Sequence, residues 1–167
     1  VSHAVFALDA KSKPKVNNVA DGVWVRRWKG RDVKSRCCGR GFLDKQKKCV
    51  KRNSSTASRL SHRMCVSLAV QFDFELECLD ISTAFLQGLR FDELQARAVE
   101  LGVDIDVQRR VWFSPPANVW RHMRDNPKSE IKVQAFDVHL FVLYCLKALY
   151  GLVDAPLLWQ LALLHFL

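Results

Sequence analysis

The sequence lacks the patterns that mark several common protein classes. It contains six cysteines but no Cys-x-x-Cys pair and no cysteine–histidine spacing typical of a zinc site. No glycine-rich segment leads into Gly-Lys-Ser or Gly-Lys-Thr, which excludes a P-loop. No Asp-Asp pair occurs anywhere in the 167 residues. Without a metal pattern, most of the cysteines are expected to be small buried side chains.

Long apolar runs and a secretory leader are also missing. The most apolar stretch, residues 157–167, is 11 residues long and is interrupted by Gln160 and His165, whereas a membrane-spanning helix needs about 20 residues. No positively charged start precedes an apolar run. We therefore expect an intracellular protein, in a cytoplasmic particle or the nucleus, that is neither secreted nor bound to a membrane.

Acidic residues are scarce in the first part of the chain. Residues 1–63 carry a formal charge of +13 and residues 64–167 a charge of −4, within a total of +9. A basic part beside a mildly acidic one suits a surface that binds polyanions next to a site that uses carboxylates. A basic segment that only improves solubility is the alternative that charge alone leaves open.

The apolar content of 49% is enough for one domain with a core. Residues 1–22 are expected to be a polar, weakly ordered lead-in, and residues 23–167 a single domain. Alternation predicts a hairpin, with a strand at residues 23–28, a turn at 29–32 and a returning strand at 33–38. On the second strand Lys34 and Arg36 point to one face, which could meet a phosphate chain or could protect a solvated edge strand.

A helix is predicted over residues 59–72, after a serine- and threonine-rich capping segment. Its apolar side chains recur every four residues and predict a buried stripe, formed by Leu60, Met64, Leu68 and Phe72. Alternation over residues 72–78 then predicts a half-buried strand that ends near Asp80. A carboxylate there is either a metal ligand or a loop aspartate that caps the following turn.

The remaining segments are less regular. We expect an amphipathic helix over residues 91–101 that ends at Gly102, a polar loop over 118–130 that could include one helical turn, and strand character over 136–146. Trp112 and Trp120 are expected to be packed. Residues 157–167 are apolar on nearly every face of a helix, which should be buried.

Four segments, in order along the chain, resemble the reverse transcriptases of copia-type retrotransposons. Residues 80–88, Asp-Ile-Ser-Thr-Ala-Phe-Leu-Gln-Gly, resemble the family's Asp-Val-x-x-Ala-Phe-Leu-x-Gly signature. Residues 146–159, Leu-Lys-Ala-Leu-Tyr-Gly-Leu-Val-Asp-Ala-Pro-Leu-Leu-Trp, resemble its Leu-x-Lys-Ala-Leu-Tyr-Gly-Leu-Lys-Gln-Ala-Pro-Arg-x-Trp segment. Residues 34–42 match its basic hairpin strand that ends in Gly-Phe, and residues 111–116 match its Val-Tyr-Met-x-x-Pro segment. The stretch 95–110 is extra length relative to the family.

The resemblance implies an α+β fold, the fingers and first part of the palm of a right-hand polymerase, built mainly from antiparallel strands packed with helices. It implies that Asp80 is a catalytic residue that binds metal, with the carbonyl of Ile81 as a further ligand. Nucleotide- and template-binding residues would be Lys34, Arg36, Arg40, Phe85, Tyr150 and Gly151. Val153 and Asp154 stand where the family has Lys-Gln, and Leu157 stands where it has arginine. The loss of two cations and the added anion are expected to weaken contact with nucleic acid.

By resemblance, the parent enzyme is an RNA-directed DNA polymerase that adds deoxynucleotides to a primer by two-metal phosphoryl transfer. Its cofactor would be Mg²⁺ or Mn²⁺, and its partners an RNA or DNA template with primer, deoxynucleoside triphosphates and the rest of the polyprotein. The family's Tyr-x-Asp-Asp hairpin does not occur in this sequence, so the chain is expected to be a fragment that is inactive alone. The alternatives are a non-catalytic basic remnant that binds nucleic acid and a degenerate reading frame that folds poorly.

Overall fold

The computed structural model describes residues 5–12, 15–52, 54–100, 102, 108–126 and 139–166. They form an α+β fold, as predicted, with one five-stranded sheet and four α-helices in the described part. The strands are β1 (Phe6–Ala10), β2 (Val19–Lys29), β3 (Asp32–Gly39), β4 (Trp112–Ser114) and β5 (Phe141–Cys145). The helices are α1 (Arg59–Phe72), α2 (Leu94–Glu100), α3 (Ala117–Asp125) and α4 (Ala155–Phe166).

The sheet has the order β1-β5-β4-β2-β3 and is mixed. The pairs β1–β5, β4–β5 and β2–β3 are antiparallel, whereas β2 and β4 are parallel. Strand β2 belongs to both halves of the sheet, because residues 19–21 pair with β4 and residues 22–29 pair with β3. The predicted mainly antiparallel character is therefore confirmed, with one parallel pair.

The predicted hairpin is confirmed as β2 and β3. Trp28 pairs with Val33 and Lys29 with Asp32, so only Gly30 and Arg31 lie between the strands. Gly30 has a φ of 64°, which a glycine adopts without strain in so short a turn. Most of the hairpin projects into solvent, since residues 24–36 are all exposed.

The core lies where β4 and β5 meet α4. Its largest fully buried side chains include Val111, Val142, Leu143 and Leu158. Helix α4 begins within the Ala-Pro pair, as predicted, and buries Leu157, Leu158, Leu161 and Ala162. Its apolar surface is not covered throughout, because Leu164 is 47% exposed. Trp112 and Trp120 are buried, as predicted.

Two elements of the fold were not predicted. Strand β1 lies in the segment for which we expected only weak order, and it pairs with β5 from Phe6 opposite Cys145 to Ala10 opposite Phe141. Helix α3 lies where we expected a polar loop, because Trp120 is its only fully buried residue and its apolar signal is short. The predicted strand over 136–146 is confirmed for residues 141–145, whereas 136–138 lie outside the described residues.

Helix α1 has the predicted bounds but not the predicted packing. Ser58 is the N-cap, and its hydroxyl accepts a hydrogen bond from the Ser61 amide at 3.0 Å. The predicted buried stripe is wrong, since Leu60 is 67% exposed and Met64 is 56% exposed. Ala69 is the only buried residue of this helix.

The predicted strand at residues 72–78 is also wrong. Phe72 ends α1, Asp73 adopts a left-handed conformation with φ 56°, and residues 74–81 have no regular structure. The alternating apolar side chains of the predicted strand are exposed, including Phe74 and Leu76. Alternation marks a strand only where a neighbour completes its hydrogen bonds, and no described strand pairs with this segment.

The cysteines differ from the expectation. Cys145 is buried, Cys37 and Cys38 are half-buried, and Cys49, Cys65 and Cys78 are exposed, so most are not core residues. None of the six forms a disulfide. In the part of the chain that the structure describes, no helix has the length and apolar character needed to cross a bilayer.

Candidate functional site

A cleft of about 950 Å³ brings together residues that are far apart in the sequence. One wall comes from β3, a second from residues 80–86, and a third from Leu149 and Tyr150. Six of the eight predicted site residues line this cleft: Lys34, Arg36, Asp80, Ile81, Phe85 and Tyr150. Its apolar floor includes Phe113 and Leu143 from β4 and β5. The segments that resemble the polymerase family thus converge on one concavity.

An aromatic and cationic cluster lies in the lining of the cleft. The guanidinium carbon of Arg36 lies 5.6 Å from the centre of the Tyr150 ring, within the range of a cation–π contact. The rings of Phe85 and Tyr150 lie 5.6 Å apart at 54°. These contacts link the three walls and leave Arg36 exposed to solvent.

Asp80 lies on an exposed loop and not at the end of a core strand. Residue Thr83, three positions further on, has a φ of 52°, which is strained for a β-branched side chain. This backbone leads into a short 3-10 helix over Ala84–Gln87, which carries Phe85. Gly88 then packs against α4, where an added Cβ would lie 3.3 Å from the backbone of Leu158 and Trp159.

Backbone contacts between glycines hold two of the walls together. The Gly39 amide donates a hydrogen bond of 2.7 Å to the Tyr150 carbonyl. Gly151 has a φ of 100°, and a Cβ placed there would lie 2.0 Å from the Gly39 carbonyl oxygen. A Cβ on Gly41 would lie 1.9 Å from the Gly151 carbonyl oxygen. The segments at 34–42 and 146–159 can approach this closely only because all three positions are glycine.

The other two predicted site residues lie outside the lining of the cleft. Arg40 donates to Asp21 at 2.5 Å, so its charge is engaged in an exposed ion pair. Gly151 contributes through its backbone, because it allows the contact that fixes Tyr150. The structure therefore separates predicted site residues that line the cleft from predicted site residues that lie outside its lining.

Arg109, Asp44 and Asp154 form a buried ionic cluster. Arg109 donates to Asp44 through Nη1 at 3.0 Å and through Nη2 at 2.5 Å, and to Asp154 through Nε at 2.6 Å. Asp44 is 1% exposed and Asp154 is 4% exposed. Asn18 donates a further hydrogen bond of 2.9 Å to Asp44. The cluster joins the segment after β3 to the segment that begins α4.

This cluster explains two features that the sequence left open. Asp154 is 4% exposed and is a partner of Arg109, so its charge is compensated inside the fold, and the expectation that the departures from the family weaken contact with nucleic acid stays a prediction. Arg109 itself comes from the extra stretch 95–110, of which 101 and 103–107 lie outside the described residues. The extra stretch and the replaced residue are therefore complementary in charge.

The cluster also changes the pKa values of Asp44 and Arg109. Burial alone would raise the pKa of Asp44, but hydrogen bonds from Arg109 and Asn18 lower that pKa below its usual range. Burial alone would lower the pKa of Arg109, but hydrogen bonds to Asp44 and Asp154 raise it. Both groups are therefore charged throughout the neutral pH range.

Acid is expected to destabilise the protein partly through Asp44. Its pKa is lower in the folded chain than the value of about 3.9 in an unfolded one. The resulting stabilisation is therefore complete above about pH 4 and is lost as the pH falls through the folded pKa. Urea unfolding between pH 7 and pH 2 measures the free energy of unfolding at each pH. As the pH falls, this free energy should decrease less steeply for Asp44→Asn than for the wild type. An equal decrease in both proteins would contradict this assignment.

The described residues do not by themselves fit a two-metal site. Asp80 is the only carboxylate among the described residues that line the cleft. No group of three or more His, Cys, Asp or Glu side chains is placed to hold a metal ion within the described part of the chain. A divalent ion is usually held by several oxygen ligands, so Asp80 and the Ile81 carbonyl would need further carboxylates beside them.

Sequence reasoning missed several residues of this region. Trp24 lines the cleft, and its indole N–H donates to Asn118 at 3.2 Å. Asp44 and Arg109 were also missed. The alternation of β2 could have placed Trp24, but no local pattern links Asp44 with a residue 65 positions away.

Comparisons with known protein families, with characterised protein sequences and with solved structures give no significant match to this chain.

Proposed function

We propose that this chain forms the fingers and first part of the palm of a copia-type reverse transcriptase, and that its cleft binds a nucleotide beside a template–primer. The observation that carries the proposal is the convergence of Lys34, Arg36, Asp80, Phe85 and Tyr150 on one cleft. These residues come from three separate segments of the resemblance. A chance likeness of short motifs gives no reason for their side chains to share one concavity.

The chemistry of the cleft suits a nucleoside triphosphate. Lys34 and Arg36 lie two residues apart on β3, so both can meet one phosphate chain. Tyr150 and Phe85 offer apolar faces to a sugar and base, with Phe85 positioned by the 3-10 helix after Thr83. Asp80 supplies an anionic oxygen across the cleft.

Catalysis needs more than these residues provide. In-line phosphoryl transfer by this family uses Mg²⁺ or Mn²⁺ ions held by several carboxylates, and Asp80 is the one described carboxylate in the lining. The ions would therefore bind only where additional carboxylates join Asp80. We expect the chain alone to bind its ligands without extending a primer.

A second function, a non-catalytic module that binds nucleic acid, is favoured by the exposed basic hairpin. Residues 23–39 carry six Lys and Arg side chains and one Asp, and residues 26–36 are all exposed. Such a surface binds polyanions with an affinity that falls as salt rises, whether or not catalysis follows. The two functions share template–primer binding and differ in the nucleotide site of the cleft.

Removing both cations of the cleft should weaken binding of a primer–template. At about 50 mM salt, Lys34→Ala combined with Arg36→Ala is expected to lower the affinity roughly ten-fold and to reduce the salt slope by about two. Fluorescence anisotropy with a labelled primer–template measures both quantities.

The matched control removes two exposed cations outside the lining of the cleft, Lys48→Ala with Arg121→Ala. It lowers the net charge equally and should have a much smaller effect. If both double variants lose the same affinity, binding follows net charge alone and the assignment of the cleft is wrong.

The same pair of variants, titrated with a deoxynucleoside triphosphate, separates the two candidate functions, because only the polymerase cleft predicts saturable binding that depends on Lys34 and Arg36.

A further inference from the structure

The proposed function gives no role to the buried cluster of Arg109, Asp44 and Asp154. All three side chains are almost fully removed from solvent. Taking charged groups out of water costs free energy, and apolar side chains of similar volume often stabilise a fold as well as such a cluster does. Stability alone is therefore a weak reason for the cluster, and the contacts around it indicate a second one.

On one side, Asp44 holds the segment that follows β3. Its amide donates a hydrogen bond of 3.2 Å to the carbonyl of Gly41, at the end of the 3-10 helix over Gly41–Leu43. The backbone of Gly41 lies so close to the carbonyl of Gly151 that no Cβ fits between them. The place of Asp44 therefore determines the place of Gly151 through two backbone contacts.

On the other side, Asp154 holds the turn that leads into α4. Its carbonyl accepts a hydrogen bond of 3.0 Å from the Leu158 amide, in the first turn of that helix. The Leu152 amide donates to the Leu149 carbonyl at 3.1 Å. The turn closed by these bonds carries Tyr150 at its centre and ends at the carboxylate that Arg109 binds.

Arg109 spans both carboxylates with one planar group. Nη1 and Nη2 donate to the two oxygens of Asp44 at 3.0 and 2.5 Å, and Nε and Nη2 donate to the two oxygens of Asp154 at 2.6 and 3.2 Å. Because each carboxylate is bound through both oxygens, the rigid guanidinium sets their separation and relative angle. An ammonium group has no such fixed geometry.

We propose that Arg109 is a positioning residue of the cleft, which sets the place of Tyr150 through the two carboxylates. The ring of Tyr150 contacts the guanidinium of Arg36 and the ring of Phe85, each at 5.6 Å, so a displaced turn would loosen both contacts. The inference deepens the proposed function, and it rests on that function only in naming a nucleotide as the ligand.

The test uses variants that lose the planar group and keep the fold. Arg109→Met with Asp44→Leu and Asp154→Leu replaces the cluster by apolar side chains, which commonly restore stability. Arg109→Lys keeps a buried cation without the bidentate geometry. The control is Val142→Ala, which destabilises the core at a residue that is 0% exposed and lies outside both the cluster and the lining of the cleft.

The first measurement is fluorine NMR of the full chain labelled with fluorotyrosine, which needs no ligand. The chain has two tyrosines, so Tyr150→Phe assigns both resonances. In the wild type, Arg36→Gln should shift the Tyr150 resonance, because it removes the cation beside the ring. In both cluster variants we expect the Tyr150 resonance to move and to lose at least about half of its response to Arg36→Gln. In Val142→Ala the response should equal that of the wild type.

The second measurement is the affinity for a deoxynucleoside triphosphate. We expect each cluster variant to bind it about ten-fold more weakly than the wild type, because a small misplacement of a contacting group is costly. Val142→Ala should change this affinity less than about two-fold, since the control lies outside the lining of the cleft.

Two results would overturn the proposal. An unchanged Tyr150 resonance in a folded cluster variant would show that the cluster only stabilises the fold. An equal change in Val142→Ala would show that any loss of stability displaces the ring. A wild type that binds no nucleotide, but whose Tyr150 resonance still depends on Arg109, would refute the proposed function and support the positioning role.

Discussion

Gly151→Ala is expected to destabilise the protein by at least about 3 kcal/mol and to remove ligand binding at the cleft. Two effects combine at this position. The backbone has a φ of 100°, where an L-residue is strained by about 1–2 kcal/mol. The new Cβ would also lie 2.0 Å from the Gly39 carbonyl oxygen, which forces the two segments apart and breaks the hydrogen bond from Gly39 to Tyr150. Denaturant unfolding and nucleotide titration measure the two losses.

Gly30→Ala is the matched control for that variant. Gly30 also has a positive φ, 64°, but nothing lies within 4 Å of the Cβ it would gain. It should therefore show the backbone strain alone, about 1 kcal/mol. If Gly151→Ala is no more destabilising than Gly30→Ala, the two segments do not meet in the way described.

Arg109→Met is expected to destabilise the protein by about 3–5 kcal/mol, because it leaves Asp44 and Asp154 buried without their cation. The two carboxylates would repel each other and separate the segment after β3 from the start of α4. Chemical denaturation at pH 7 gives the change in unfolding free energy. Arg110→Met is the neighbouring control: Arg110 is exposed, so its loss should stay within about 0.5 kcal/mol.

A triple variant tests whether the loss comes from the unpaired charges. Arg109→Met with Asp44→Leu and Asp154→Leu removes the whole cluster, and apolar side chains of similar volume commonly restore the stability of such a site. Recovery of most of the lost free energy is expected. A stability equal to the wild type in Arg109→Met alone would show that the cluster does not join the two segments.

Sequence reasoning succeeded where local chemistry decides the structure. The hairpin follows from alternation around a glycine turn, and the bounds of α1 follow from a serine cap and apolar side chains at four-residue spacing. The eight predicted site residues were chosen from short motifs. Six of the eight line one cleft.

Sequence reasoning failed where the burial of a side chain depends on residues that are distant in the chain. The periodicity over residues 60–78 predicts buried faces, yet Leu60, Met64, Phe74 and Leu76 are exposed because no described element covers them. The cluster of Arg109 with Asp44 and Asp154 joins three distant segments. In the sequence, none of these three residues can be distinguished from an ordinary charged residue on the surface. Strand β1 depends on β5, which lies more than 130 residues further along the chain.

The most direct test of the central claim, that three segments form one ligand cleft, is chemical-shift mapping of the full chain by NMR. Titration with a deoxynucleoside triphosphate in the presence of a primer–template should shift the amides of residues 34–37, 80–86 and 149–150 together, with one affinity. The amides of α1, none of whose residues lines the cleft, should stay unchanged. Shifts confined to the basic loop at 45–52, or independent affinities at the three segments, would contradict the account.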